Sequence, residues 1–209
     1  MSAVGAKRRR APRGQGERLR EEILEAAERL LVQTGDEEAV SIRAVAEAVG
    51  VTPPSIYLHF SDKNELMFAV CERQFERLDR VLEEAAAAET GPLDSLRARG
   101  RAYVRFGVEN PEHYRILFMG KAGNSPADFD PERLATMASF DHLVAAIKEC
   151  MDGGSLPPGD QTLVALGLWA VVHGITSLMI SKPDFPWPDR EAFTDYLCDL
   201  QVRGLRDLA

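Results

Sequence analysis

Ser41-Ile42-Arg43-Ala44-Val45-Ala46-Glu47-Ala48-Val49-Gly50-Val51-Thr52-Pro53-Pro54-Ser55-Ile56-Tyr57-Leu58-His59-Phe60-Ser61-Asp62-Lys63 is the stretch that decides the fold. Ser41 has the chemistry of a helix N-cap, and Val45, Ala46 and Val49 follow at helical spacing. Gly50 stops that helix, because glycine reaches the left-handed conformation of a helix C-terminus without steric cost. Thr52 is placed to cap a second helix, with Pro53 and Pro54 in its first turn, where missing N–H groups cost nothing. The second helix is short, with Ser55, Tyr57 and His59 as polar groups around the anchors Ile56 and Phe60. A helix of that length is not stable alone, so its exposed face is expected to have a task. Two short helices and a tight turn predict a helix-turn-helix whose second helix lies in the major groove of DNA.

Working outward, the chain predicts helices throughout and no strand of useful length. An amphipathic helix from Glu17 to Gln33 carries Ile23, Ala27, Leu30 and Leu31 on one face and ends at Gly35. A long helix follows from Lys63 to Ala88, striped by Leu66, Val70, Leu78, Val81 and Leu82, and is expected to join head to body as one lever. Gly91-Pro92 and Asn110-Pro111 bound the next helix, from Leu93 to Glu109, and a short segment runs from Glu112 to Met119. Residues 120–131 read as a loop, Glu132 to Met151 as a helix, and the closing helices as Asp160–Ser181 and Asp189–Leu208. The predicted organisation is a basic flexible arm over 1–16, a DNA-binding domain over 17–65, and an all-α ligand-binding and dimerisation domain over 66–209.

The run Gly50 to Phe60 with Asp62, Lys63 and Leu66, and the preceding Ile42-Arg43-Ala44-Val45-Ala46, closely resembles the DNA-binding domain of TetR-family (tetracycline-repressor-like) regulators. Trp169-Ala170-Val171-Val172-His173-Gly174 resembles the Trp-x-x-x-His-Gly signature of one C-terminal subgroup. The resemblance implies a homodimer formed through the last two helices, a pseudo-palindromic operator in double-stranded DNA, and a small-molecule effector. It implies a repressor released by its ligand; a ligand-dependent activator and a helical protein-interaction adaptor without DNA binding stay open as alternatives.

Composition fits that division. The net charge of -8 argues against a general nucleic-acid binder, yet Lys7, Arg8, Arg9, Arg10, Arg13, Arg18 and Arg20 face only Glu17 at the N-terminal end. The arm is either a solubilising tail or an extra phosphate or minor-groove contact. Cys71, Cys150 and Cys198 are widely spaced and odd in number, which suggests neither a disulfide framework nor a zinc site. No apolar leader is read at the N-terminus, and a cytoplasmic setting is expected.

The expected DNA contacts are Arg43, Thr52, Pro53, Pro54, Ser55, Tyr57, His59 and Lys63. Arg43 has the reach for a guanine edge, the prolines offer apolar contact, and Tyr57, His59 and Lys63 suit phosphates or sugars. Packing inside the head is the bland alternative for Tyr57 and His59. The expected effector pocket draws on Tyr103, Phe106, Phe118, Met137, Phe140, Trp169 and His173, with Tyr114 and Met119 as further candidates, and its ligand is small and largely apolar. Core packing is the plain reading of most of these, and a buried structural histidine is that of His173.

Other chemistries find little support. His59, His113, His142 and His173 lie far apart with no metal-ligand spacing, no nucleophile elbow is present, and Gly14-Gln15-Gly16 lacks the rest of a dinucleotide fingerprint. No catalytic residue, metal or cofactor is therefore expected. Leu163 to Ile180 is apolar enough to span a bilayer. His173, Thr176 and Ser177 in its middle favour a helix buried in an interface, so no membrane partner is expected.

Overall fold

The computed structural model describes residues 15–118 and 138–207. Most of the basic arm, Met119, the loop at 120–131, the first turns of the helix expected from Glu132, and Met137 lie outside the described residues. Those described are helical, with no strand among them, and fold into two compact units that divide between Val70 and Cys71.

The first unit begins with α1 (Gln15–Thr34), which buries Ile23, Leu24, Ala26, Ala27 and Leu31 and ends at Gly35, whose φ of 62° is the left-handed conformation expected there. A short 3-10 turn (Glu37–Ala39), absent from the sequence reading, is capped by the Asp36 carboxylate. Next come α2 (Ile42–Val49), α3 (Pro53–Ile56) and the start of α4 (Lys63–Ala87). Ser41 Oγ accepts from the Ala44 N–H at 3.1 Å, and Gly50 closes α2 at φ 77°. The long helix opens on Asp62, whose carboxylate accepts from Glu65 N–H at 2.9 Å, while the Glu65 carboxylate accepts from the Ser61 N–H. That second bond holds the Glu65 carboxyl below its usual value. Leu66, Met67, Ala69 and Val70 are buried, and the first unit takes in the opening two turns of α4.

The second unit holds the remainder of α4 with α5 (Pro92–Glu109), α6 (Pro111–Phe118), α7 (Ala138–Asp152), α8 (Gln161–Ser181) and α9 (Arg190–Asp207). α5 is its centre and packs on α7, α8 and α9. Gly107 permits the closest approach: a Cβ there would lie 2.2 Å from Thr176 Cγ2 and 2.8 Å from Tyr114 Cδ2. Arg99 ties α5 to α4 by two bonds to the Glu83 carboxylate, each 2.9 Å.

α8 is the one helix among the described residues long and apolar enough to cross a membrane. It buries Ala165, Val172, Ile175, Thr176, Met179 and Ile180 against its neighbours, and Asp160 caps it through the Thr162 and Leu163 N–H groups. Its outward face carries Leu163, Leu166, Gly167, Ala170 and Leu178, an apolar stripe at helical spacing. On α9, Tyr196, Leu200 and Gly204 are likewise exposed, and Gln201 donates to the Gly167 carbonyl at 3.1 Å between the two helices.

Candidate DNA-reading face and ligand cavity

In the head, the apolar anchors and the polar groups of the recognition segment separate cleanly. Ile56 and Phe60 are 0% and 1% exposed, and the Arg20 guanidinium lies 5.1 Å from the centre of the Phe60 ring. Arg43, Thr52, Pro53, Pro54 and Tyr57 are exposed, and Ser55, His59 and Lys63 are half-buried. Tyr57, at 53% exposure, is not packed inside the head. Leu58, which the sequence reading passed over, is 79% exposed beside it. Its position in the repeating pattern around Ile56 and Phe60 was the available signal.

Thr52 departs from its expected capping role, and Lys63 makes a contact within the head that the sequence did not predict. Thr52 occupies the N-cap position of α3, but its hydroxyl makes no cap bond and instead pairs with Ser55 Oγ at 3.1 Å. The reason lies in the prolines. Pro53 and Pro54 have no N–H, and the Ser55 N–H donates to the Thr52 carbonyl at 2.8 Å, so the first turn offers the side chain no donor. Lys63, expected to meet a phosphate, donates from Nζ to the Glu37 carbonyl at 2.7 Å and ties the 3-10 turn to the start of α4.

In the body, a partly open cavity of about 250 Å³ is lined by α4, α5, α7, α8 and α9 with Phe118 of α6. Tyr103, Phe118, Phe140 and Trp169 line it, and Leu78, Leu82, Leu143 and Val172 complete an apolar wall. Phe106 is not in that wall; it is buried in the core with the Arg77 guanidinium 5.9 Å from its ring centre. His173 stands behind the wall, hydrogen-bonded to Tyr103 and with its ring 5.2 Å from that of Phe118 and 5.5 Å from that of Trp169. Missed in the sequence were Arg97, Arg99, Gly100, Cys198 and Gln201, contributed to the lining by α5 and α9.

The polar end of the cavity is a connected cluster. Trp169 Nε1–H donates to Tyr103 Oη at 3.2 Å, Tyr103 Oη lies 3.2 Å from His173 Nδ1, and Tyr114 Oη lies 2.7 Å from the same nitrogen. Tyr114 Oη also donates to the His173 carbonyl at 3.3 Å. Burial raises the Tyr103 phenol well above its ordinary value, raises that of Tyr114 and lowers His173, so the cluster is neutral. Burial also pushes the Cys198 thiol up to about 11, which makes it an inert part of the wall. Neutral hydroxyl and indole groups at one end of an apolar cavity orient a ligand by hydrogen bonds; they are not arranged as nucleophile and base.

A helix-turn-helix head followed by a helical body is the architecture of a DNA-binding transcriptional regulator. Residues 23–70 match the family model described as bacterial regulatory proteins, tetR family, and residues 96–201 match that described as Tetracyclin repressor-like, C-terminal domain. The HTH-type transcriptional activator FasR of Mycolicibacterium smegmatis is 30% identical over 152 residues, which cover 73% of this chain and 68% of FasR. A solved protein of unknown function from Rhodococcus sp. RHA1 superposes with a TM-score of 0.80 at 28% identity, over 94% of this chain and 100% of that one. FadR from Bacillus subtilis, solved in complex with stearoyl-CoA, shares the fold at a TM-score of 0.73 and 14% identity, over 88% of this chain and 98% of its own. The chain belongs to the TetR family of bacterial transcriptional regulators.

Proposed function

We propose that the protein is a homodimeric, cytoplasmic repressor that occupies a pseudo-palindromic operator and leaves it when a small, largely apolar ligand fills the body cavity. The observation that carries this reading is the wall of that cavity. Leu78 and Leu82 line it, and they stand on the same unbroken helix, α4, whose first residues belong to the DNA-binding head. A ligand with different affinities for two positions of that helix shifts the population of DNA-competent heads.

The cavity selects its ligand by shape and by the polar groups in its otherwise apolar wall, the end at Tyr103 and Trp169 among them. Its volume of about 250 Å³ falls just below the roughly 300–1,000 Å³ of small-molecule pockets. A compact apolar molecule fits it, as does the terminal part of a longer acyl chain, the class of ligand that FadR of Bacillus subtilis was solved with. Trp169 and Tyr103 would take a carbonyl or hydroxyl of the ligand.

The dimer reading rests on the apolar stripes of α8 and α9. Leu163, Leu166, Leu178, Tyr196 and Leu200 are all at least 45% exposed, and two such helices from each of two chains make a four-helix bundle. Two heads then engage half-sites about one helical turn apart, which one short α3 does not achieve alone. In the head, Arg43 is the base reader, Tyr57, His59 and Lys63 contact phosphates or sugars, and the exposed prolines and Leu58 supply apolar contact. An activator is the second reading, favoured by the name of the FasR relative, and depends on where the operator lies.

The test is fluorescence anisotropy on operator DNA with a panel of acyl-CoA thioesters and free fatty acids of increasing chain length. Release from DNA by one chain-length class, lost in a Leu143→Trp variant that fills the cavity but still binds DNA, supports the reading. Equal release of wild type and Leu143→Trp contradicts it.

A further inference from the structure

Outside the cavity and the head, α4 and α7 bring together three side chains whose donor atoms all lie within 4.8 Å of one another: Asp79, Glu83 and His142. We propose that these residues form a binding site for one divalent transition-metal ion of the Zn2+ class, clamping α4 to α7.

The geometry begins in the sequence. Asp79 and Glu83 are four residues apart, so an α-helix presents both carboxylates on one face, one turn apart. His142 sits one turn into α7, and its Nδ1 lies 2.9 Å from Asp79 Oδ1. A tetrahedral Zn2+ holds N and O ligands at about 2.0–2.2 Å, which sets neighbouring donors roughly 3.3 Å apart. The observed donor separations, all within 4.8 Å, bracket that value, and the Asp79, Glu83 and His142 side chains are 19%, 37% and 47% exposed. Their exposure also gives the ion an entry path and leaves its remaining positions to water.

The outer shell is already built. Arg99 donates to both oxygens of Glu83 and holds its carboxyl below the usual range. When one of those oxygens ligates the ion, Arg99 keeps the other and fixes the carboxylate's orientation, the arrangement found around ligating carboxylates generally. The ion takes the place of the hydrogen now shared by His142 and Asp79, and the neutral imidazole then carries its proton on Nε2. Two carboxylates against one guanidinium leave the local charge at one negative unit before the ion binds. The imidazole decides the class of metal, because Mg2+ and Ca2+ prefer oxygen ligands alone whereas Zn2+ and its neighbours accept a mixed N,O set.

The site borders the cavity wall without belonging to it. Leu78 and Leu82 precede Asp79 and Glu83 on α4, Phe140 and Leu143 flank His142 on α7, and those four residues line the cavity. A bound ion therefore fixes two walls of the cavity to each other. The assignment of the ion itself requires no ligand in the cavity.

The full-length protein, stripped with a chelator, would be titrated with Zn2+ in competition with a chromophoric chelator, and separately with Co2+ followed by visible absorption. One ion per chain is expected, with Co2+ d–d bands and no sulfur-to-metal charge transfer. The affinity should fall at least about tenfold in both Asp79→Asn and His142→Ala, and Zn2+ should raise the Tm of the wild type only. Asp79→Asn is isosteric and His142 is exposed, so far-UV circular dichroism should show both variants folded. Wild-type affinity in both variants, a thiolate band from Cys71, Cys150 or Cys198, or equal binding of Mg2+ would overturn the assignment.

Discussion

Tyr114 Oη lies 2.7 Å from Nδ1 of His173, joining α6 to the middle of α8 behind the cavity wall. A histidine inside an apolar helix is costly unless its ring nitrogens find partners. Here Tyr114 supplies one, with Tyr103 at 3.2 Å as a second group on the same nitrogen. Removing the closer hydroxyl in Tyr114→Phe should cost about 1 kcal/mol, the net worth of one hydrogen bond when an alternative donor is in reach. Urea unfolding at fixed protein concentration should show a lower midpoint with an unchanged slope.

The same histidine gives the stability a definite pH dependence. Burial lowers the folded-state His173 below its ordinary 6.5, so the unfolded chain takes up a proton that the folded chain refuses. Stability contributed by the neutral ring is present above that value and is lost as pH falls through it towards the folded-state pKa. Unfolding midpoints measured from pH 8 down to about pH 5 should therefore decline, and a His173→Gln variant should show a shallower decline. An identical slope in the variant would assign the effect to other groups.

Gly107→Ala tests the packing of α5. The added methyl meets Thr176 Cγ2 at 2.2 Å, in a place where both helices are buried. Overpacking of this kind costs about 1–3 kcal/mol, which in a domain of this size lowers the Tm by roughly 2–4 °C per kcal/mol. Differential scanning calorimetry reads it directly.

The outward stripes of α8 and α9 make a prediction about assembly. Leu178→Arg places a charge in the middle of the proposed bundle, and sedimentation should find monomers at concentrations where the wild type is dimeric. Operator affinity should fall with it, because one head alone contacts too few base pairs. A monomeric variant that kept full operator affinity would separate DNA binding from dimerisation.

Much of this architecture is legible in the sequence because its punctuation is local. Ser41, Gly50, Gly35 and Asp160 act on backbone within a few residues of themselves, and each ends or begins a helix where the sequence predicts it. Thr52 shows the limit of such rules: two prolines removed the donors that a cap requires. The cavity was half legible. Tyr103, Phe118, Phe140 and Trp169 stand out as aromatics on helices, but Phe106, equally aromatic, turns into the core. Nothing local marks Arg97, Arg99 or Cys198 as lining, since that depends on which face of α5 meets α9. The cluster of Asp79, Glu83 and His142 was invisible for the same reason. No sequence spacing connects residues 63 positions apart until α7 packs beside α4.

The measurement that tests the account most directly is selection of duplexes from a randomised DNA pool by the wild type and by an Arg43→Ala variant. The account predicts an enriched pseudo-palindrome, with half-sites about one helical turn apart. The Arg43→Ala variant should lose about 1–3 kcal/mol on the selected site and relax its preference at one position in each half-site. No enriched sequence at low salt, or one enriched equally by a variant lacking both Arg43 and Tyr57 side chains, would contradict it.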